Sequence, residues 1–134
     1  MPVNQRKESQ LDVIVKARKL AIHTLQITQN TEKFPPEYWV PLTSDIVSAA
    51  KNIYIDCWTA NNIRVSSEAH LERRAELQTR AILNCNNLLA LMELAYKLFH
   101  FETKKLKDWG RKTTECRTLI RAWRESDRKR YDKP

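Results

Sequence analysis

The sequence predicts an all-α protein, an antiparallel up-down four-helix bundle, and three observations carry that expectation. The chain has one glycine, Gly110, among 134 residues, whereas the tight turns of hairpins draw on glycine for positive φ. Three of its five prolines, Pro35, Pro36 and Pro41, fall in one short stretch, with Pro2 and Pro134 at the ends. The remainder is free of helix breakers. Apolar residues then recur at spacings of three and four through four long segments. The length suits one domain, 1–134, with enough chain to bury a core.

The first segment, about residues 8–30, places Leu11, Ile14, Ala17, Ala21 and Leu25 on one face, with Val15 and Ile22 beside them. Phe34-Pro35-Pro36-Glu37-Tyr38-Trp39-Val40-Pro41 ends it. Its rings are expected to fold back over the bundle end, since exposed together they would form a sticky patch. The second helix, 43–62, has Thr43 as its expected cap and Asp45 in the first turn, where the helix dipole favours an acid. Its core stripe reads Ile46, Ala49 or Ala50, Ile53, Cys57 and Ala60.

The third helix, 67–99, opens on Ser67 as cap with Glu68 beside it. Leu71, Ala75, Gln78, Ile82, Cys85, Leu89, Met92 and Tyr96 follow on one face. A turn near His100–Glu102 leads to the fourth helix, 103–130, with Thr103 as expected cap. Leu106, Trp109, Thr113, Cys116, Ile120 and Trp123 keep one register across Gly110. The helix is therefore expected to run through the glycine, at a cost of about 1 kcal/mol against alanine. Short connections make successive helices antiparallel neighbours.

Charge is divided unevenly. Residues 1–103 hold 12 Lys/Arg and 11 Asp/Glu, whereas residues 104–134 hold 12 Lys/Arg and 5 Asp/Glu. Nearly all of the net +8 therefore belongs to the last helix, and such a field attracts phosphate or an acidic protein surface. Arg117, Arg121, Arg124 and Arg128 stand at i, i+4, i+7 and i+11, one stripe about a quarter-turn from Cys116, Ile120 and Trp123. The guanidinium fork matches phosphate. The candidate nucleic-acid-binding set is this stripe with Lys129, Arg130, Lys104, Lys105, Lys107, Arg111 and Lys112. Arg73 and Arg74 of helix three complete it. Trp39 is a candidate base-stacking or partner contact. The competing reading is a solvated face, quenched within the helix where Glu125 reaches Arg121 at i−4 and Arg128 at i+3.

Residues for catalysis are not assembled by the sequence. His23, His70 and His100 lie in different segments, and no Cys or His stands at metal-ligand spacing. One glycine cannot build a phosphate-cradling loop. Cys57, Cys85 and Cys116 are odd in number, isolated and inside helical patterns, so they read as buried reduced thiols. Cys85 in an apolar stripe reads as inert core. Trp58, Trp109 and Trp123 are expected in the core. No cofactor, no metal and no enzymatic activity are expected. No run approaches the ~18–20 apolar residues of a membrane span, and the N-terminus lacks the apolar core of a secretory signal. The expectation is a cytoplasmic protein with no membrane contact.

Several short stretches occur in a recognisable order. Glu32-Lys33-Phe34-Pro35 closes helix one, Ala60-Asn61 closes helix two, Glu72-Arg73-Arg74 opens helix three, and Glu115 stands eight residues before Trp123. Over about residues 11–126 this pattern resembles the four-helix-bundle family of the accessory variability determinant of diversity-generating retroelements. That family is related to the proteins encoded in ribosomal-RNA intervening sequences. The resemblance implies a homopentameric ring, basic on its surface and along its pore. It further implies binding to the retroelement reverse transcriptase and to template-repeat RNA and cDNA, supporting mutagenic reverse transcription without performing chemistry. The chain departs from the family at Trp39, where an arginine is common, and at Arg117, Arg121 and Ala122, where glycines are favoured. The alternative expectation is a structural, protein-interaction bundle of the intervening-sequence type with no nucleic-acid role.

Overall fold

A computed structural model describes residues 3–131, with side chains from Asp12 onward. It consists of α1 (Val3–Thr28), a 3₁₀ turn (Pro36–Tyr38), a π turn (Trp39–Thr43), α2 (Ser44–Asn61), α3 (Glu68–Phe99) and α4 (Thr103–Tyr131). No strand occurs among the described residues. α1 packs on α2 and α4, and α3 packs on the same two helices, so the four close into a square. Side-chain pairs 74–127, 79–124 and 86–117 run in opposite directions along α3 and α4, which makes those helices antiparallel. One core joins all four, from Ile14 and Leu20 through Ile53 and Leu88 to Ile120.

The α2 and α4 stripes lie where periodicity places them. Ile46, Ala49, Ala50, Ile53, Cys57 and Ala60 are buried, as are Trp109, Thr113, Cys116, Ile120 and Trp123. On α1, Ile14, Ala17 and Ala21 are buried as expected, but the inward face extends to the residues just before them. Val13, Ile14, Ala17, Leu20, Ala21, Thr24 and Thr28 face inward, whereas Ile22 and Leu25 are exposed; the Leu11 side chain lies outside the described residues. Thr24 belongs inside because Trp109 Nε1 donates to its Oγ1 at 3.0 Å. Thr28 Oγ1 in turn donates to the Thr24 carbonyl at 2.9 Å. The α3 face is wider than one stripe, because this helix packs on two neighbours. Arg74, Leu77, Ala81, Leu88 and Ala95 are buried beside Gln78, Ile82, Cys85 and Met92, and Leu71, Ala75, Leu89 and Tyr96 sit at its margin.

Trp58 is not a core residue. It follows Cys57 by one position, about 100° round the helix, and is 52% exposed, with its ring tilted against Tyr54 at 6.3 Å. The proline-rich stretch folds back only in part. Phe34 is buried against Phe99, Phe101 and Trp109, and Tyr38 meets Phe99 edge-on, but Trp39 remains 48% exposed.

The helix ends show where backbone hydrogen bonds go. Thr43 does not cap α2. Its own backbone is helical and its side chain makes no cap bond, because the π turn already supplies acceptors: the Ser44 N–H donates to the Trp39 and Leu42 carbonyls. Ser67 does cap α3, its Oγ accepting from the His70 N–H at 3.2 Å. At the α3–α4 turn, His100 takes the left-handed conformation, φ 58°, and its N–H donates to the Tyr96 carbonyl. The Glu102 carbonyl accepts from the Lys105 and Leu106 N–H groups. Glu102 therefore occupies the cap position expected for Thr103, whose Oγ1 lies 2.6 Å from the Tyr96 hydroxyl.

Gly110 sits inside unbroken helix, and a Cβ there would lie 4.0 Å from Met92 Sδ, an ordinary contact. Gly110→Ala should therefore raise the stability measured by urea unfolding by about 1 kcal/mol. His100→Gly should also stabilise, by about 1 kcal/mol, since only glycine adopts the left-handed region without a Cβ clash.

Candidate nucleic-acid interface

At one end of the bundle α3 and α4 are joined by a buried ion pair. Arg74 is 5% and Asp127 4% exposed. Arg74 Nε donates to Asp127 Oδ2 at 2.6 Å and Nη2 to Oδ1 at 3.0 Å, a two-pronged contact. Gln78 Nε2 donates to the same carboxylate at 2.8 Å, and Arg74 Nη1 reaches the Ile63 carbonyl at 3.3 Å. The guanidinium also lies over the Trp123 ring, 5.3 Å from its centre. Arg74 is thus removed from the candidate nucleic-acid set, because phosphate cannot reach a side chain buried and bonded to a carboxylate in this way. Asp127 continues the α4 core stripe, four residues after Trp123; its polarity hid it from a search for apolar residues.

The arginine stripe lies along the α3–α4 seam. Arg117 Nη1 donates to Asn86 Oδ1 at 2.6 Å and Arg124 Nη1 to Thr79 Oγ1 at 3.3 Å. Both partners are neutral, so they orient the guanidinium groups without cancelling charge. Arg121, between them, is exposed and makes no hydrogen bond or ion pair among the described residues. Leu83, also exposed, stands between Thr79 and Asn86 on α3. Arg128 is different: it binds Glu125 through Nη2 at 2.7 Å and Nε at 3.2 Å, and that hydrogen bond holds the Glu125 carboxyl below its ordinary range. Glu125 reaches Arg128, not Arg121.

In the first half of α4, Arg111 and Lys112 are quenched within the helix. Arg111 binds Asp108 at 2.7 Å and Glu115 at 3.0 Å, and Lys112 also binds Asp108. Lys112, then Arg111, hold the Asp108 carboxyl below its usual range, and Glu115, then Asp108, raise Arg111. His23 lies 3.9 Å from Asp108; burial, then Lys112, lower its pKa and favour the neutral ring. Lys104, Lys105 and Lys107 are exposed in the opening turns of α4. That end carries Trp39 as well, so these residues lie far from Lys129 and Arg130 in the last turn. Arg130 stacks on Tyr131 at 5.1 Å. Arg73 pairs with Glu76 at 3.5 Å on the exposed side of α3. Of the candidate set, the structure gathers Arg117, Arg121 and Arg124 on one seam, with Arg128 and Lys129–Arg130 continuing toward the C-terminal end.

Cys57, Cys85 and Cys116 are free and buried. Burial pushes the Cys57 thiol well above its ordinary value, and a hydrogen bond with Cys85, then burial, does the same to Cys116. Neither Cys57 nor Cys116 is a poised thiolate. Among the described residues no group of three or more His, Cys, Asp or Glu is placed to hold a metal ion. No helix among them is long and apolar enough to cross a membrane.

No protein-family model, curated protein or solved structure matches this chain.

Removing one partner of a buried ion pair strands the other charge. Asp127→Ala should therefore cost about 3–5 kcal/mol in urea unfolding, far more than Glu125→Ala, whose carboxylate serves only an exposed pair.

Proposed function

We propose that this protein is a non-enzymatic accessory protein of a diversity-generating retroelement, binding template-repeat RNA and cDNA and the reverse transcriptase through the α3–α4 seam. The observation that carries this reading is the row Arg117, Arg121 and Arg124, which hydrogen-bond to neutral partners or to none and make no ion pair with a carboxylate among the described residues. Guanidinium groups so presented suit phosphate oxygens. The reading also rests on the order of family-like stretches from Phe34-Pro35 to Trp123. It places the protein in the cytoplasm as a homopentameric ring, in which the seams of successive subunits add their fields and steepen the salt dependence of binding.

A second reading is a structural bundle that acts only through protein contacts. Ile55 and Trp58 on α2, and Leu94 and Leu98 on α3, are exposed apolar side chains that favour it. Replacing Arg117, Arg121 and Arg124 by glutamine separates the two. On the first reading RNA affinity falls, and the slope of log K against log salt drops by about 2 for single-stranded RNA, while sedimentation shows the assembly intact. Unchanged binding, or loss of assembly alone, contradicts it.

A further inference from the structure

A cleft of about 860 Å³ opens between the first turns of α3 and the last turns of α4, at the end of the arginine row. That volume lies in the range of small-molecule sites. Gln78, wholly buried, forms part of its lining. The orientation of this amide is forced. Its Nε2 donates to Asp127, and a carboxylate can only accept, so the group cannot turn round. Gln78 Oε1 is left buried with no hydrogen-bond partner in the protein, an arrangement that is costly unless a donor arrives.

The rest of the lining narrows what that donor is. Glu68 and Glu72 add acceptors on the α3 side; on the α4 side Glu125 clasps Arg128 while Arg124 bonds to Thr79, and Tyr131 contributes an aromatic ring. The carboxylates disfavour a free anion, and the Arg124 guanidinium disfavours a free cation. A ligand with a negative tail for Arg124, a flat apolar body for Tyr131 and an N–H head for Gln78 fits this lining. We infer that the cleft takes one nucleotide of a single-stranded nucleic acid, with an amino-bearing base turned toward Gln78 Oε1 and its phosphate toward Arg124. Arg124 belongs both to the seam and to the cleft, so a strand tracking the arginine row arrives at this mouth. The inference rests on the nucleic-acid reading above and adds base selectivity to it. Cytosine presents an amine where uracil presents a carbonyl, and the carbonyl would face Gln78 Oε1 acceptor to acceptor.

Fluorescence anisotropy with oligo(C) and oligo(U) of equal length, at one ionic strength, tests this. Oligo(C) should bind about tenfold more tightly, the worth of one hydrogen bond at a buried acceptor. Ala75→Phe, which fills the cleft without altering the arginine row, should bring oligo(C) to the level of oligo(U) and leave the salt dependence unchanged. Equal, salt-dependent binding of both strands by the unaltered protein overturns the inference and leaves the proposed function standing; it is the result expected if the cleft holds only water or a partner's basic side chain. A preference for oligo(C) that survives in folded Ala75→Phe also overturns it. Binding of neither strand overturns both readings. The comparison in the unaltered protein decides the matter even if Ala75→Phe fails to fold.

Discussion

The Arg74–Asp127 pair is the constraint on which the α3–α4 seam depends. Two antiparallel helices lined by small and medium apolar residues can slide by a turn at modest cost, because hydrophobic burial is non-directional. A two-pronged ion pair cannot slide. With Gln78 accepting no other orientation and Trp123 beneath the guanidinium, displacement by one turn would leave a buried charge unpaired. Its contribution is best placed in register rather than in net stability, since burying two charges offsets much of their attraction. Once residue 74 is set opposite 127, Thr79 falls beside Arg124 and Asn86 beside Arg117, and the cleft at the bundle end takes its shape.

The same pair explains why α4 keeps its charge. The helix has few carboxylates, and each has a place. Asp108 and Glu115 serve Arg111 and Lys112 in the first half. Asp127 turns inward to Arg74 and Glu125 clasps Arg128. None forms an ion pair with Arg117, Arg121 or Arg124; Arg117 bonds to an asparagine and Arg124 to a threonine of α3. Three guanidinium groups with no carboxylate bonded to them are therefore set along a short stretch of surface, about 10 Å along the helix axis at 1.5 Å per residue, while Lys104, Lys105 and Lys107 carry an equal share of the excess at the other end of the helix.

Periodicity made much of this legible. The α2 and α4 core stripes, the continuity of α4 through Gly110, the Ser67 cap and the turn at His100–Glu102 follow from local residue patterns, and the structure places them there. What escaped was decided by distant partners. Arg74 reads as a surface base beside Arg73 because its carboxylate lies 53 residues away. Thr24 reads as polar and Leu25 as core, yet Trp109 Nε1 satisfies the threonine inside while the leucine stays out. Trp58 is apolar enough for a core but one position off its stripe. Thr43 has a cap residue's chemistry in a place where a π turn had already supplied the acceptors. Gln78 was legible as part of the α3 face, but its unsatisfied Oε1 depends on Asp127 and so on the tertiary pairing.

Photo-cross-linking of the unaltered protein to 4-thiouridine-substituted RNA, followed by peptide mass spectrometry, tests the proposed polyanion-binding surface most directly. Adducts should concentrate on residues 79–86 of α3 and 117–131 of α4. Adducts gathered instead at the opposite end, around Trp39 and Lys104–Lys107, would contradict it.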